Sequence, residues 1–209
     1  MRIAMWSGPR NLSTAMMYSF GNRADFHVMD EPFYAAYLAA TGLDHPMRDA
    51  VLAAQPQDAA RVPEGFDSGA KPHLYMKHMA QHMLDGFPLG WAEDCVNVHL
   101  IRHPARVIAS YAEKREAPTL ADVGFAQQQA LYERLGGIVI DSADIRGDPE
   151  GMLRKLCEAI GIAFDPAMLH SPRGPHPEDG VGAVPYTLLT PPANREGEGQ
   201  GGGAAPHAR

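Results

Sequence analysis

Short apolar runs that alternate with helical patterns constrain the fold of this chain more than any other feature. The runs lie at residues 3–6, 26–29, 74–76, 96–101 and 138–140. Short runs bounded by polar or turn residues are typical of strands buried on both faces of a parallel sheet. Because most of them precede a helical pattern, we expect βαβ units in an α/β domain of three layers, with a central parallel sheet flanked by helices.

Three helical patterns follow the later runs. Pro104 suits the first turn of a helix after the fourth run, and looser apolar spacing predicts another helix over residues 120–135. A third helix should begin at the N-cap residue Asp148 and end at Gly161. Its apolar stripe includes Cys157, which we interpret as a small core residue rather than a nucleophile.

The composition supports one sizeable core, since the chain has 209 residues of which 45% are hydrophobic. We expect one domain over residues 1–190. Within it, a helical insertion is expected at about 34–72, where Ala-rich pieces alternate with Pro and Gly. From residue 191 onward Pro and Gly surround almost no apolar side chains, so we expect a disordered tail over 191–209.

The charge of the chain argues against several classes of partner. It has 18 Lys and Arg against 25 Asp and Glu, a net charge of −7, so it lacks the field that general binding to nucleic acid or anionic membranes would use. The two cysteines form no Cys-x-x-Cys pair, and no apolar stretch approaches the ~20 residues that span a bilayer. We expect a cytoplasmic protein with no nucleic-acid or membrane partner, in which any anion site is a local pocket.

The first strand runs directly into a loop with the composition of a phosphate cradle. The loop and the start of the next helix are Ser7, Gly8, Pro9, Arg10, Asn11, Leu12, Ser13 and Thr14. Free amide groups at a helix N-terminus attract an anion, and Arg and hydroxyl side chains add donors. The standard P-loop pattern would need Gly and Lys at positions 12 and 13. A capped turn with an exposed Arg is the alternative interpretation.

A second group of donors follows the fourth strand. Arg102 stands at the strand end, and Ser110 lies eight positions further on, one to two turns into the next helix. The two can converge on one anion, although surface ion pairing is the alternative. Since parallel strands end at the same edge of a sheet, this site and the first loop should share a cleft that suits a ligand with two separated anionic groups.

These motifs resemble those of the sulfotransferases that use 3′-phosphoadenosine 5′-phosphosulfate (PAPS). The first loop is similar to the family's 5′-phosphosulfate loop, and residues 101–111 are similar to its 3′-phosphate motif, with Arg and Ser eight apart. The resemblance spans about residues 1–182. It implies a P-loop-type fold and transfer of a sulfuryl group from the cosubstrate PAPS to a hydroxyl or amine of a small-molecule or carbohydrate acceptor, without a metal.

The resemblance also implies catalytic roles. Glu31, after the second strand, resembles the Glu that takes the acceptor proton in the branch that includes tyrosylprotein sulfotransferases. Lys77 resembles a Lys that faces the transferring group, and Arg10 would stabilise the leaving phosphate. Arg173 is similar to part of a segment that closes over the 3′-phosphate. An N-cap or ion-pair role for Glu31 and a solvated strand end for Lys77 are the alternatives.

Single residues bear on three other functions. His78 and His82 stand four apart, which on a helix would permit metal binding, but Met79 stands where the H-E-x-x-H pattern has Glu. We expect no metal site. A P-loop-type kinase or nucleotide hydrolase would need an acidic residue that holds Mg²⁺ after an apolar strand, and the best strand ends at Arg102 instead. A nucleotide-binding module without catalysis is the remaining alternative.

Overall fold

A parallel β-sheet forms the middle layer of the molecule. The computed structural model describes residues 1–67, 69–113, 118–170 and 179–180. All five predicted runs fall in strands, and the expected three-layer α/β architecture is confirmed. Neighbours in the order β2-β3-β1-β4-β5 pair in parallel. The strands are β1 (Arg2–Ser7), β2 (Phe26–Asp30), β3 (His73–Met79), β4 (Val96–Ile101) and β5 (Ile138–Asp141).

Helices cover both faces of this sheet. None of those in the described ranges is long and apolar enough to cross a bilayer. They are α1 (Ser13–Gly21), α2 (Tyr34–Thr41), α3 (Arg48–Ala54), α4 (Pro104–Glu113), α5 (Leu120–Val123), α6 (Phe125–Leu135), α7 (Ser142–Gly147) and α8 (Pro149–Ile160), with short 3-10 turns at Val62–Gly65, Ala80–His82, Gly90–Ala92 and Pro166–Leu169.

The segment between β2 and β3 contains α2, α3 and the first 3-10 turn. These elements fall in residues 34–72, where the sequence predicts a helical insertion. The domain boundaries stay a prediction, and the predicted tail over 191–209 lies outside the described residues.

The two faces of the sheet carry separate hydrophobic cores because side chains alternate along each strand. Ile3 and Met5 of β1 join the core that contains α1 and α8, while Ala4 and Trp6 join the core that contains α2 and α6. All four side chains are fully buried. A buried large apolar side chain contributes about 1.5–3 kcal/mol, so the strand that precedes the first loop is firmly held.

The helix α8 follows its sequence signals closely. The Oδ1 of Asp148 accepts a hydrogen bond from the amide of Gly151 at 2.9 Å, and the helix ends at Gly161 with φ of 79°. That left-handed conformation favours glycine. Cys157 lies buried in the core beneath the helix, as interpreted from the sequence.

The single helix predicted over residues 120–135 is wrong. The chain forms two helices, α5 and α6, which meet at Gly124 with φ of 66°. A capping box between Thr119 and Asp122 starts α5, and the left-handed glycine ends it after one turn. The resulting corner brings Gly124 against Gln81, because a Cβ on that glycine would lie 3.0 Å from the Gln81 side chain.

Candidate active site at the carboxyl edge of the sheet

Polar side chains gather where the parallel strands end. The strands β2 and β3 lie on one side of β1, and β4 and β5 lie on the other. The carboxyl end of β1 is therefore a topological switch point, the usual position of a ligand site in an open α/β sheet. The predicted residues Glu31, Lys77 and Arg102 belong to segments at this edge, together with the loop after β1.

Two side chains anchor the loop after β1 to neighbouring strands. The Oγ of Ser7 donates to the carbonyl oxygen of His78 at 3.4 Å, and Nδ2 of Asn11 donates to the carbonyl oxygen of Leu100 at 2.6 Å. Both side chains are buried. They therefore hold the path of the loop between β3 and β4, and contact with a ligand at these positions would fall to the main chain.

The loop bends through two left-handed residues before α1 begins. Arg10 and Leu12 both have φ of 61°, a conformation that residues other than glycine seldom adopt. Leu12 is the N-cap residue of α1, and its apolar side chain has no atom that could accept from the first-turn amides. The first-turn amides of α1 therefore receive no side-chain cap from Leu12, an arrangement that suits an anion site. Ser13 begins the helix, and Pro9 and Thr14 are half-buried beside it.

Gly8 is required by a close approach from the corner between α5 and α6. A Cβ at this position would lie 2.9 Å from the carbonyl oxygen of Val123, so a larger residue would displace the loop. From the same corner, Nε2 of Gln128 donates to the carbonyl oxygens of Leu100 at 2.9 Å and Trp6 at 3.3 Å. Gln128 was not predicted from the sequence, where its only signal is a polar residue on the buried side of α6.

A hydrogen bond from the side chain of Arg102 to the main chain of Arg10 joins the two predicted anion motifs. The Nη1 of Arg102 donates to the carbonyl oxygen of Arg10 at 2.6 Å. The guanidinium carbon of Arg10 lies 5.1 Å from the ring centre of Tyr111 in α4. Ser110, the preceding residue of that helix, is half-buried. Arg10 and Arg102 thus meet at one edge of the sheet, and Tyr111 in the second half of α4 contacts Arg10 there.

A buried ion-pair cluster occupies the other side of this edge. The Nζ of Lys77 lies 2.7 Å from Oδ1 of Asp30 and 2.8 Å from Oε1 of Glu31. Asp30 and Lys77 are register partners on β2 and β3, so their side chains leave the same face of the sheet. The alternative of a solvated strand end is wrong, because Lys77 is only 5% exposed. The ion-pair alternative for Glu31 holds, and it is compatible with a chemical role.

Burial and charge compete within this cluster. Burial alone would lower the pKa of Lys77, but the charges of Glu31 and Asp30 and the hydrogen bonds to them raise it above its usual value. Burial raises the pKa of Asp30, Lys77 opposes the rise, and the neighbouring Glu31 adds to it. One lysine thus serves two carboxylates, of which Glu31 is the more exposed at 20% of its side chain. Glu31 was predicted from the sequence, whereas Asp30 was not.

Residues 179 and 180 reach the same cluster from the far end of the chain. The amide of Gly180 donates to Oδ2 of Asp30 at 3.3 Å, and the hydroxyl of Tyr18 donates to Asp179. Burial, followed by the contact with Asp179, raises the pKa of Tyr18. No sequence signal connected this segment to the site. Arg173 lies outside the described residues.

The two histidines are buried and do not share a helix. His78 lies in β3, stacked on Trp6 with ring centres 4.5 Å apart, and His82 ends the 3-10 turn that follows. Burial, and then the positive potential of neighbouring groups, lowers the pKa of each to about 3. In the part of the chain that the structure describes, no group of three or more His, Cys, Asp or Glu side chains is arranged to hold a metal ion.

A separate open groove of about 450 Å³ lies beside the second half of α2. None of the predicted site residues lines this groove. Its lining consists mainly of small residues, together with Gln57, Asp58, Phe87 and Pro88.

The sheet order and the loop at the switch point define an α/β protein with a candidate ligand site at the carboxyl edge of the sheet. Over residues 1–194 the chain matches the family model described as "Sulfotransferase domain". The chain therefore belongs to the sulfotransferase domain family.

Solved structures with similar folds agree with this assignment. The sulfotransferase domain of the Synechococcus PCC 7002 olefin synthase matches with a TM-score of 0.51 at 19% identity and covers 81% of this chain and 76% of its own. The sulfotransferase domain from the curacin biosynthetic pathway matches with a TM-score of 0.56 at 15% identity, over 86% and 80% of the two chains. At such identities the likeness concerns the fold, and it supports the predicted P-loop-type architecture.

Curated relatives match over a shared segment. Branched-chain-amino-acid aminotransferase-like proteins 1 and 2 of Arabidopsis thaliana are 39% and 36% identical over 188 residues, which is 87% of this chain and 34% of each relative. The chain thus spans about a third of the length of these relatives.

Proposed function

We propose that this domain transfers a sulfuryl group from PAPS to a hydroxyl or amine of a small-molecule or carbohydrate acceptor. The observation that carries the proposal is the position, at one edge of the sheet, of the loop after β1 and a buried Lys and carboxylate pair. The hydrogen bond from Arg102 to the carbonyl oxygen of Arg10 joins the two anion motifs. Lys77 and Glu31 lie 2.8 Å apart at the same edge.

The donor would bind through its two anionic ends. The first-turn amides of α1 would hold the 5′-phosphosulfate with the hydroxyls of Ser13 and Thr14, and Arg10 would neutralise the leaving phosphate. Arg102 and Ser110 would hold the 3′-phosphate. A guanidinium has five N–H donors, so the bond to the carbonyl oxygen of Arg10 fixes one edge of the Arg102 group while other N–H groups contact a phosphate.

The reaction would be a direct transfer of the sulfuryl group. The acceptor oxygen or nitrogen attacks sulfur, the bond from sulfur to the bridging phosphate oxygen breaks, and adenosine 3′,5′-bisphosphate leaves. Glu31 takes the acceptor proton. Lys77 has three N–H donors, of which two serve Asp30 and Glu31, and the third would neutralise the sulfuryl oxygens. As in phosphoryl transfer, positioning and charge supply most of the rate.

Calorimetry with two ligands tests the proposed donor. We expect adenosine 3′,5′-bisphosphate to bind more tightly than ATP with Mg²⁺, because the site offers two separate groups of anion donors. Preference for ATP with Mg²⁺ would favour a kinase or hydrolase instead. Binding of the bisphosphate without turnover of PAPS in the presence of 4-nitrophenol, glucosamine or water would favour a nucleotide-binding module.

A further inference from the structure

The two carboxylate oxygens of Glu31 face different groups. Oε1 lies 2.8 Å from Nζ of Lys77, whereas Oε2 lies 3.8 Å from Nδ1 of His82. The backbone of Glu31 is held in the left-handed region, with φ of 46°, and its amide donates to the carbonyl oxygen of Lys77 at 2.9 Å. The main chain of Glu31 and its Oε1 are thus held by Lys77, and Oε2 is the oxygen without a lysine partner.

Two tyrosines fix the ring of His82. Tyr34 stacks on one side with ring centres 4.6 Å apart and an angle of 3°, and Tyr37 stacks with centres 4.7 Å apart and an angle of 27°. The side chain of His82 is 6% exposed. Within the described part of the chain, its Nδ1 is a buried atom without a hydrogen-bond partner. A buried polar atom left in this state calls for an explanation.

The charge state of the His82 ring explains why its Nδ1 makes no hydrogen bond to Glu31. Burial, and then the charges of Lys77 and His45, lower the pKa of His82 to about 3, while Asp30 opposes them. The ring is therefore neutral near pH 7, and one ring nitrogen carries a lone pair. If that nitrogen is Nδ1, it and Oε2 are both acceptors and make no hydrogen bond. A separation of 3.8 Å fits two acceptors and is too long for a hydrogen bond.

We infer that His82 is a positioning residue that accepts a hydrogen bond from Glu31 after Glu31 has taken the acceptor proton. This inference rests on the proposed function. The proton leaves the acceptor and joins Oε2 of Glu31, and the new O–H group draws Nδ1 of His82 from 3.8 Å into hydrogen-bond distance while Oε1 keeps its contact with Lys77. Because this bond forms only as the proton moves, His82 accelerates the chemical step and adds nothing to donor binding.

The variant His82→Phe tests this directly, since it keeps a ring between Tyr34 and Tyr37 and removes Nδ1. The assay is sulfuryl transfer from PAPS to the fastest acceptor among 4-nitrophenol, glucosamine and water. We expect kcat to fall about 10-fold or more, with KM for PAPS and the thermal midpoint of unfolding little changed. His82→Asn loses the stacked ring but returns an acceptor near Nδ1, so it should recover part of the rate.

A matched control and a double variant separate this role from packing. His78 is also a buried, stacked histidine, and its Nε2 has no hydrogen-bond partner in the described part of the chain. The variant His78→Phe should keep kcat. In a Glu31→Gln background, His82→Phe should have no further effect, because no proton reaches position 31. Full kcat in His82→Phe, or an equal loss with and without Glu31, overturns the inference. Wild-type protein that transfers no sulfuryl group overturns the proposed function itself.

Discussion

The guanidinium of Arg102 donates a hydrogen bond of 2.6 Å to the main-chain carbonyl oxygen of Arg10. One residue follows β4 and the other lies in the loop after β1, so this bond crosses the switch point of the sheet. It ties the proposed 3′-phosphate site to the proposed 5′-phosphosulfate loop. The two anionic ends of the donor would therefore bind to two segments that this hydrogen bond joins.

Removal of this guanidinium should weaken donor binding much more than the chemical step. We expect Arg102→Ala to raise the Kd for adenosine 3′,5′-bisphosphate about 10- to 100-fold, the range for loss of a charge-assisted contact. The contact is remote from sulfur and is made equally in ground and transition states, so KM rises more than kcat falls. Calorimetry and steady-state kinetics measure both effects.

Arg106→Ala is the control, because Arg106 is exposed on α4 four residues from Arg102. An equal loss of affinity in both variants would indicate a general effect of positive charge. It would contradict a specific phosphate contact at Arg102.

The stability of the fold should depend strongly on Lys77, which pairs with Asp30 and Glu31. Lys77→Met leaves Asp30 and Glu31 without a counter charge, and we expect a loss of about 3–5 kcal/mol in the free energy of unfolding. Adding Asp30→Asn should recover part of this loss because one buried charge is removed. Urea unfolding measures all three proteins.

Arg61→Met is the comparison, since the Arg61 and Glu64 side chains are 69% and 65% exposed. Exposed pairs contribute about 0–1 kcal/mol. A loss in Lys77→Met no larger than that in Arg61→Met would show that the cluster is effectively solvated.

Acid should destabilise the fold through its buried histidines. Burial lowers the pKa of His78 and of His82 to about 3 in the folded chain, from about 6.5 for a solvated histidine. Between pH 6.5 and 3 these histidines therefore bind protons in the unfolded chain but not in the folded chain. Stability is fully present above pH 6.5 and is lost as the pH falls towards 3, by about 1.4 kcal/mol per pH unit for each histidine.

The variant His78→Phe isolates this effect from other groups that titrate in acid, such as Asp30. We expect a shallower fall of stability between pH 6.5 and 4 than in the wild type, measured by urea unfolding at each pH. His170→Gln, at an exposed residue, should keep the wild-type slope. Equal slopes in all three proteins would show that the folded His78 takes up a proton as readily as the unfolded one.

Much of the fold could be predicted because local signals determine it. Five apolar runs marked five strands, and Asp148 with Gly161 bounded α8. The break at Gly124 was missed because its cause, a left-handed glycine packed against Gln81, depends on tertiary contact. Location in the cytoplasm and the lack of membrane or nucleic-acid partners stay predictions.

The sequence predicted several residues of the candidate site but not which of them contact one another. Lys77 and Glu31 were named, yet their ion pair joins residues 46 positions apart in the chain. Asp30 enters the cluster through the register of β2 with β3, and Gln128 of α6 bonds to Trp6 of β1 across 122 positions. Such pairings follow from strand order, which the sequence pattern does not specify.

Transfer of labelled sulfuryl from PAPS by wild type and Glu31→Gln tests most directly whether Glu31 serves as the base. Wild-type protein should release adenosine 3′,5′-bisphosphate and label 4-nitrophenol, glucosamine or water. Glu31→Gln should bind the bisphosphate equally well and transfer about 10² to 10⁴ times more slowly, the usual contribution of a positioned base. Glu158→Gln, at an exposed position on α8, should behave as wild type. No transfer by the wild type, or full activity in Glu31→Gln, would contradict the assignment.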